Sequence, residues 1–472
     1  MGKAAWSNHW AFRRLLRLWV LVGATALAGC DAAQATRPAV SAPLPTTAAT
    51  LVVLATQPPP TTAPPSPRPS PAPTTRPSST PVATAALVLE PTAPPTPTQL
   101  SIGERQQIFE EVWRTVKQNY LYANFRGLDW EGMREEYQPR IEVDQSQDAF
   151  YGDMAEMVAR LDDHHSRFLP PAAAQAQDAT TSGYENTVGI GVLAQPKQDG
   201  AFIQLVFPDS PAARADLRPR DRIIAVDGRP YVASDGDLHG PSRTTVRLNV
   251  VRPGEKPRDV VLVRQEIQGR IAPSYRRFPG DIGYVAIPTL WVNDMDEQVS
   301  GALTELVADG RLHGLILDVR ANGGGWSKVL SGILSHFVRG QVGMFFDQRH
   351  VRPLVIEPPA GPDLRGLPLV VLVDGDTASY AEVLAAILQR ENGALVVGTP
   401  TAGNTETIYA YTLRDGSRLW LAQEGFRLQN GTNLEGAGVQ PNSVVDVDWT
   451  RYSEDDDPQL LEALRLLGAG PK

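Results

Sequence analysis

Two turns in the second half of the sequence carry residues suited to acyl-transfer chemistry. Ser379 follows the apolar run 369–373 at the junction of a predicted strand and helix, which presents a hydroxyl beside a helix N-terminus. The run 317–325 has the same layout, and its glycines let backbone N–H groups point at a developing anion. A phosphate-binding loop is excluded, because no Gly-Lys-Ser/Thr follows. Both turns also have purely structural interpretations, since Ser379 and Glu382 have the spacing of a capping box and the glycines suit a tight turn.

The composition limits the other chemistry that this chain can perform. Its 472 residues carry a formal net charge of −9 and no basic block, which argues against nucleic-acid binding. Cys30 is the only cysteine, so an internal disulfide, a cysteine-rich zinc site and an iron–sulfur cluster are excluded. Lysines, which could serve as a catalytic base, are scarce: Lys3, Lys117, Lys197, Lys256, Lys328 and Lys472.

The N-terminal hundred residues have the composition of an export signal and a stalk. Arg13, Arg14 and Arg17 make a positively charged region at the start of the mainly apolar stretch 15–28. This stretch leads into Leu27-Ala28-Gly29-Cys30, which resembles the lipobox of bacterial lipoproteins. We expect residues 1–29 to be a signal peptide and Cys30 to carry lipid; an uncleaved signal anchor is the alternative. Residues 30–100 are rich in Pro, Thr, Ala and Ser, which predicts a disordered, extended stalk.

The next two segments differ in their hydrophobic periodicity. Residues 101–183 place apolar side chains at helical spacing and are predicted to form a helical unit that ends in the polar stretch 162–169. Residues 184–268 alternate as short strands, which predicts a β-rich domain. Its stretch 209–228 resembles the PDZ domains of exported bacterial proteases, with Asp216 and Arg220 in place of two motif glycines.

A PDZ domain binds an extended peptide as an added strand and holds the terminal carboxylate with backbone N–H groups. The candidate carboxylate loop consists of Gly189, Ile190, Gly191 and Val192. A plain glycine-containing strand is the alternative for these four residues.

The remaining chain alternates between strands and helices. Residues 269–453 are predicted to form an α/β core in which helices cover a mainly parallel sheet, and 454–472 a C-terminal tail or helix. Active groups are then expected at the carboxyl ends of the strands.

Together these segments resemble the carboxy-terminal processing, or tail-specific, serine peptidases. The resemblance covers about residues 101–450 and rests on the stretches 162–169, 209–228, 315–325, 377–382 and 434–442. It implies that Ser379 is the nucleophile and that the N–H groups of Gly324 or Gly325 and Tyr380 form the oxyanion hole. No metal or nucleotide cofactor is implied.

One departure from the family pattern concerns the catalytic base. Members with a Ser–Lys dyad have a lysine where this chain has Asn404, a neutral amide that cannot accept the serine proton; Lys328 is the only nearby substitute. Tricorn-type members instead use a histidine and a glutamate, and His165 and Glu435 occupy the matching positions. Histidine suits the role because its ordinary pKa lies near neutrality. A metal site in 162–165 is the other interpretation, although adjacent side chains diverge.

The sequence therefore predicts a lipid-anchored, extracytoplasmic serine endopeptidase of the cell envelope. Its substrates are expected to be proteins or peptides with free C-termini, and a membrane is its second partner through the lipid. Asn404 and the two replaced PDZ glycines also allow a catalytically inactive peptide-binding scaffold, and a small-ligand carrier on the same fold is a third alternative.

Overall fold

A computed structural model describes residues 99–185, 188–232 and 238–469 of the chain. The predicted signal peptide, the lipidation site Cys30 and nearly all of the predicted stalk lie outside these residues. None of the described helices combines the length and apolar character needed to cross a membrane.

The first described segment is helical, as its periodicity predicts. Helix α1 opens with a capping box, in which the Ser101 N–H donates to Glu104 at 2.8 Å and the Glu104 N–H donates back to the Ser101 hydroxyl. The apolar faces of the helices pack into one core with buried aromatic side chains. The helices are α1 Ile102–Asn119, α2 Trp130–Ile141, α3 Gln147–Ala159 and α4 Pro171–Thr181, and a short strand, β1 Arg167–Leu169, lies before α4.

The predicted PDZ region contains an antiparallel sheet in the order β4–β5–β6–β8–β9, and β7 pairs with β6. Two short pairings, β3 with β10 and β2 with β11, join its two ends. The elements are β2 Tyr184–Glu185, β3 Val188–Gly189, β4 Val192–Lys197, β5 Gly200–Val206, α5 Pro211–Arg214, β6 Arg222–Val226, β7 Arg229–Pro230, β8 Thr245–Val251, β9 Arg258–Val263, β10 Gln265–Glu266 and β11 Gly269–Arg270.

The rest of the chain forms the peptidase core and a C-terminal helix. Its strands and helices are β12 Ser274–Phe278, β13 Ile282–Ala286, α6 Met295–Val307, β14 Gly314–Asp318, α7 Ser327–Leu334, β15 Gly340–Phe346, β16 Val351–Ile356, β17 Leu369–Val373, α8 Tyr380–Ile387, β18 Leu395–Gly398, β19 Thr407–Thr412, β20 Arg418–Leu428, β21 Ser443–Val444 and α9 Pro458–Leu466.

The core is built on mixed sheets, so the predicted mainly parallel sheet is only part of it. One sheet has the order β12–β13–β14–β17–β18–β21; the β12–β13 pairing is antiparallel and the others are parallel. Both β14 and β17 are fully buried, as their continuous apolar sequences predict. Their carboxyl ends lead into the glycine run and the Ser379 turn.

A second, antiparallel sheet was not predicted from the sequence. Its order is β1–β20–β15–β16, with β19 also paired to β20. In the β1–β20 pairing Arg167 lies opposite Trp420. This pairing brings the loop before β1, which contains His165, to the peptidase core.

The two residues that replace PDZ motif glycines keep the backbone conformation that favours glycine. Asp216 has φ 56° and Arg220 has φ 76°. Their side chains form ion pairs: Asp216 with Arg218 at 2.9 Å, and Arg220 with the fully buried Asp457 at 2.9 Å. Arg320 also contacts Asp457, at 2.8 Å. The Arg220 replacement thus links the PDZ region to the peptidase core.

Candidate active site

Ser379 lies at the tight turn between β17 and α8. Its φ of 57° and ψ of −131° are unusual for a residue with a side chain, a conformation that costs on the order of 1–3 kcal/mol and is typical of functional sites. Gly324 packs directly against this turn, since a Cβ there would lie 2.7 Å from the Ser379 Cβ and 2.9 Å from the Tyr380 nitrogen. The glycine run and the serine turn therefore form one site.

Glu382 holds the serine turn against the loop that contains Asn404. Its Oε2 accepts from the N–H groups of Ser379 at 3.0 Å and Asn404 at 2.8 Å. Its Oε1 accepts from the Gly403 N–H at 2.7 Å and from the Thr401 hydroxyl. Burial raises the pKa of Glu382, although these four donors favour its ionised form. The sequence indicated only a capping box here; the contacts to residues 401–404 come from the tertiary structure.

Asp374 is a second buried carboxylate that the sequence analysis did not select. Its Oδ1 accepts from the Ala321 N–H at 2.9 Å and the Thr377 N–H at 3.0 Å. Its Oδ2 accepts from the Trp449 indole N–H at 2.7 Å. Asp374 thus fixes the glycine run to the serine turn, and the Asp-Gly-Asp-Thr sequence of a tight turn was the available signal.

His165 is brought to this site by the β1–β20 pairing. Asp163 accepts a hydrogen bond from the His165 N–H at 2.9 Å and another from the Ser166 N–H, which fixes the loop. The His165 side chain is buried, and its Nε2 has no hydrogen-bond partner among the described residues. A buried polar atom without a partner is rare in folded proteins, and a catalytic role is one explanation for it.

Asn404 lies between His165 and Ser379. Its main-chain oxygen accepts from the Ser379 N–H at 2.8 Å, while its side chain lies near the imidazole and favours the protonated form. His165 Nε2 and Asn404 Oδ1 both lack a hydrogen-bond partner within the described residues, so no hydrogen bond joins these two atoms. Asn404 therefore lies beside both the candidate base and the candidate nucleophile.

The protonation of His165 is governed mainly by its burial. Desolvation lowers the pKa of the imidazole to about 4; Asp163 raises this pKa, and the nearby Arg167 and His164 lower it. His165 is therefore neutral, as a general base must be, at all but acidic pH.

Glu435 lies next to this loop, but it does not contact the imidazole. Its Oε2 accepts from the Thr405 N–H at 2.7 Å and from the Thr405 hydroxyl at 3.2 Å. The arrangement therefore differs from a catalytic triad in which Glu435 orients His165. Glu435 instead holds Thr405, the residue that follows Asn404.

The two glycines predicted for the oxyanion hole differ in their contacts. The Gly324 N–H donates to Asn322 Oδ1 at 2.9 Å and is therefore occupied. The N–H groups of Gly325 and Tyr380 donate to no acceptor among the described residues. Gly325 also requires the absence of a side chain, because a Cβ there would lie 2.0 Å from the carbonyl carbon of Leu290.

Glu406 is a buried acid beside the site that the sequence analysis missed. It is 2% exposed, one oxygen accepts from the Tyr122 hydroxyl, and the other has no partner in the described chain. Burial raises the pKa of this carboxyl to about 7; Glu435 and Asp163 act in the same direction, and the Tyr122 hydrogen bond and Arg126 oppose them. Nothing in the local sequence pattern distinguishes Glu406 from a surface glutamate.

The two alternative assignments were Lys328 as the base and a metal site in the stretch 162–165. Lys328 is largely exposed and lies near Asp296 and Glu297 of α6, at 3.9 and 3.6 Å. In the described part of the chain, no group of three or more His, Cys, Asp or Glu side chains is arranged to hold a metal ion, and this includes the stretch 162–165.

The candidate carboxylate loop of the PDZ region is partly occupied by the chain itself. The Ile190 N–H donates to the Leu238 oxygen at 3.1 Å. Gly191 has φ 86°, and a Cβ there would lie 2.2 Å from the Ser210 Cβ, so only glycine fits. Strand β4, which begins at Val192, is at the end of its sheet, and its outer edge is unpaired in the described residues.

Comparison with known proteins decides the family. Residues 281–445 match peptidase family S41, residues 103–159 the C1 domain of tricorn protease, and residues 202–252 a PDZ domain. Residues 281–445 form a peptidase domain of family S41. This S41 chain is accordingly a hydrolase of the carboxyl-terminal processing serine peptidase type, as the motifs predicted.

Curated and structural relatives support this assignment over most of the described chain. A Synechocystis carboxyl-terminal-processing protease is 29% identical over 391 residues, which are 79% of this chain and 90% of the relative. A chloroplastic carboxyl-terminal-processing peptidase of Arabidopsis thaliana is 28% identical over 76% of this chain and 72% of its own. The solved photosystem II D1 C-terminal processing protease is 27% identical with a TM-score of 0.55, covering 78% of this chain and 98% of that one.

Proposed function

We propose that this S41 peptidase cleaves peptide bonds with Ser379 as nucleophile and His165 as general base, in a tricorn-like variant of the family. The observation that carries this proposal is the position of Asn404, whose main-chain oxygen accepts from the Ser379 N–H and whose side chain lies near His165. Because Asn404 neighbours both residues, its position supports pairing Ser379 with His165 as nucleophile and base.

The proposed reaction is acyl transfer in two steps. The Ser379 oxygen attacks the scissile carbonyl carbon while His165 takes the hydroxyl proton, and the tetrahedral intermediate collapses when that proton passes to the leaving amine. Water then attacks the acyl-enzyme ester, with His165 again as base, and frees the carboxylate product and the serine. The Gly325 and Tyr380 N–H groups are the proposed donors to the oxyanion, and Glu435 steadies the loop through Thr405.

We also propose that the PDZ domain captures the C-termini of protein substrates. Supporting this, the outer edge of β4 is unpaired among the described residues, as addition of a peptide strand requires. The Ile190 N–H is already used, so the carboxylate would bind through the other groups of the 189–192 loop. Amidation of a bound peptide's C-terminus should weaken its binding.

The location of the enzyme is proposed from its N-terminal sequence. We propose that residues 1–29 are removed and that lipid on Cys30 anchors the protein outside the cytoplasm, with residues 30–100 as a stalk. Mass spectrometry of the membrane-derived protein tests this: an unmodified Cys30 would contradict it.

Cleavage of an unfolded protein by the full chain tests the catalytic assignment. Ser379→Ala and His165→Ala should each abolish nearly all cleavage, since loss of a general base typically costs on the order of 10²–10⁴ in rate. Lys328→Met, which changes an exposed residue, should leave cleavage intact. If the parent chain is inert but still binds peptides, the inactive-scaffold alternative, suggested by Asn404, replaces this proposal.

A further inference from the structure

Arg167 is a half-buried arginine beside the proposed base, and it forms no ion pair with an Asp or Glu of the described chain. It lies two residues after His165, and its Nη1 makes only a long, 3.4 Å hydrogen bond to the His165 main-chain oxygen. Within the described residues, no Asp or Glu oxygen lies within 4.0 Å of its guanidinium. Burial lowers the pKa of Arg167 without an opposing ion pair. A partly desolvated cation of this kind is costly unless an anion joins it.

Three tryptophans form an aromatic wall next to this arginine. The Arg167 guanidinium lies 5.5 Å from the centroid of the Trp420 ring, within the range of a cation–π contact. The rings of Trp291 and Trp326 lie 5.6 and 6.3 Å from that of Trp420, and both are partly exposed. Trp326 is held by a 2.7 Å hydrogen bond from its indole N–H to the Trp291 oxygen. The wall is therefore rigid and apolar, with one positive group at its edge.

The residues of this wall and Arg167 are close along the chain to both parts of the proposed active site, the base and the oxyanion hole. Arg167 follows His165 on the chain, and Trp326 directly follows Gly325, a proposed oxyanion donor. A peptide lying across Ser379 would thus pass close to these side chains. Neither the described residues nor the proposed reaction supplies an anion that pairs with Arg167. The position of Arg167 beside the proposed site therefore favours a negatively charged group of the substrate.

We propose that Arg167, Trp291, Trp326 and Trp420 form a substrate subsite that binds a carboxylate, either the terminal carboxylate or an Asp or Glu side chain of the substrate. A planar guanidinium matches a carboxylate in two parallel hydrogen bonds, and the tryptophans exclude water from the pair. This inference rests on the proposed catalytic function, since it places the subsite beside Ser379.

Carboxylate binding would also strengthen the base. Arg167 is one of the charges that disfavour protonated His165, so a carboxylate that neutralises it makes the imidazole a better proton acceptor. A substrate that fills the subsite should then raise kcat in addition to lowering KM. A merely structural role for Arg167 would not produce this dependence on the substrate's charge.

Binding is tested in the full chain carrying Ser379→Ala, which does not depend on catalysis. Four otherwise identical unstructured peptides are titrated, with a central Asp or Asn and a free or amidated C-terminus, and the dissociation constants are measured by calorimetry and tryptophan fluorescence. Adding Arg167→Met should weaken binding of one carboxylate form about tenfold or more, as expected for a charged hydrogen-bonded pair. The fully neutral peptide should be unaffected, and whichever carboxylate responds is the source.

The controls separate charge recognition from folding and from PDZ binding. Arg167→Lys keeps the charge and should retain part of the preference, whereas the exposed Arg349→Met should change nothing. The comparison is made within each peptide pair, so a contribution of the PDZ domain that does not depend on Arg167 cancels. If Arg167→Met does not fold, as judged by circular dichroism, Arg167→Gln takes its place.

The two proposals fail in different ways. Equal effects of Arg167→Met on charged and neutral peptides, or no effect, would overturn the subsite even if the enzyme is active. Charge-dependent binding in a chain that cleaves nothing would leave the subsite standing and overturn the proposed function. In the active chain, the carboxylate peptide should show the higher kcat, and Arg167→Met should remove that difference.

Discussion

The main-chain oxygen of Asn404 accepts a 2.8 Å hydrogen bond from the N–H of Ser379. This bond fixes the loop that contains Asn404 directly to the serine turn. This backbone contact does not depend on the side chain, so another residue at position 404 could form it as well. The imidazole of His165 lies near that amide.

The Asn404 side chain should therefore matter little for catalysis. We expect Asn404→Ala to keep kcat/KM for an unfolded substrate within about tenfold of the parent, because its main-chain bonds to Ser379 and Glu382 remain. A small loss is expected, since the amide favours protonated His165. A loss as large as that of His165→Ala would instead make Asn404 part of the catalytic machinery.

The pH dependence of activity should reflect the burial of His165. A histidine with its ordinary pKa predicts activity that rises with pH through about 6–7. Burial lowers this pKa to about 4, so the base is already neutral at pH 6 and the acid limb of kcat/KM should lie near pH 4–5. Arg167→Met should move that limb to higher pH, because Arg167 lowers the pKa. A limb that remains at 6–7 and is unchanged in this variant would contradict the assignment.

Glu382 should be needed for the geometry of the serine turn. A glutamine cannot accept the four hydrogen bonds that reach this carboxylate, and its amide nitrogen would face N–H donors. We expect Glu382→Gln to lower the free energy of unfolding by about 1–3 kcal/mol and to reduce kcat. Denaturant unfolding and steady-state kinetics measure the two effects, with the exposed Glu135→Gln as control. Unchanged stability would show that these bonds contribute little.

Glu406 should make the protein less stable as pH rises toward 7. Its pKa is about 7 in the folded chain against 4.5 when unperturbed, so between these values the folded state binds a proton that the unfolded state has lost. Stability therefore falls with rising pH across this window, by up to about 3 kcal/mol in total. Glu406→Gln removes the ionisation while keeping an acceptor for Tyr122.

Unfolding measured from pH 4.5 to 8 tests this prediction. The Glu406→Gln chain should show a flatter profile and be more stable than the parent at pH 8, and Glu135→Gln should follow the parent. Parallel profiles of Glu406→Gln and the parent would mean that Glu406 is ionised throughout this range.

Local sequence patterns determined the elements that carry the chemistry. The continuous apolar runs of β14 and β17, the glycines at 323–325 and the serine at a strand-to-helix junction predicted a site at the carboxyl ends of buried strands. These features depend on periodicity and on backbone conformation, which a short stretch of chain sets by itself. The family motifs extended the prediction to the PDZ domain and to the peptidase type.

Only the tertiary structure decided which side chains meet. Strand β1 pairs with β20 about 250 residues away, and neither the second sheet nor the approach of His165 to Asn404 follows from any local pattern. Glu435 binds Thr405 and not the imidazole, and Arg167 lies over the Trp420 ring without an ion pair among the described residues. Burial and partners across the chain set the protonation of His165 and Glu406, because desolvation depends on what the whole fold packs around a group.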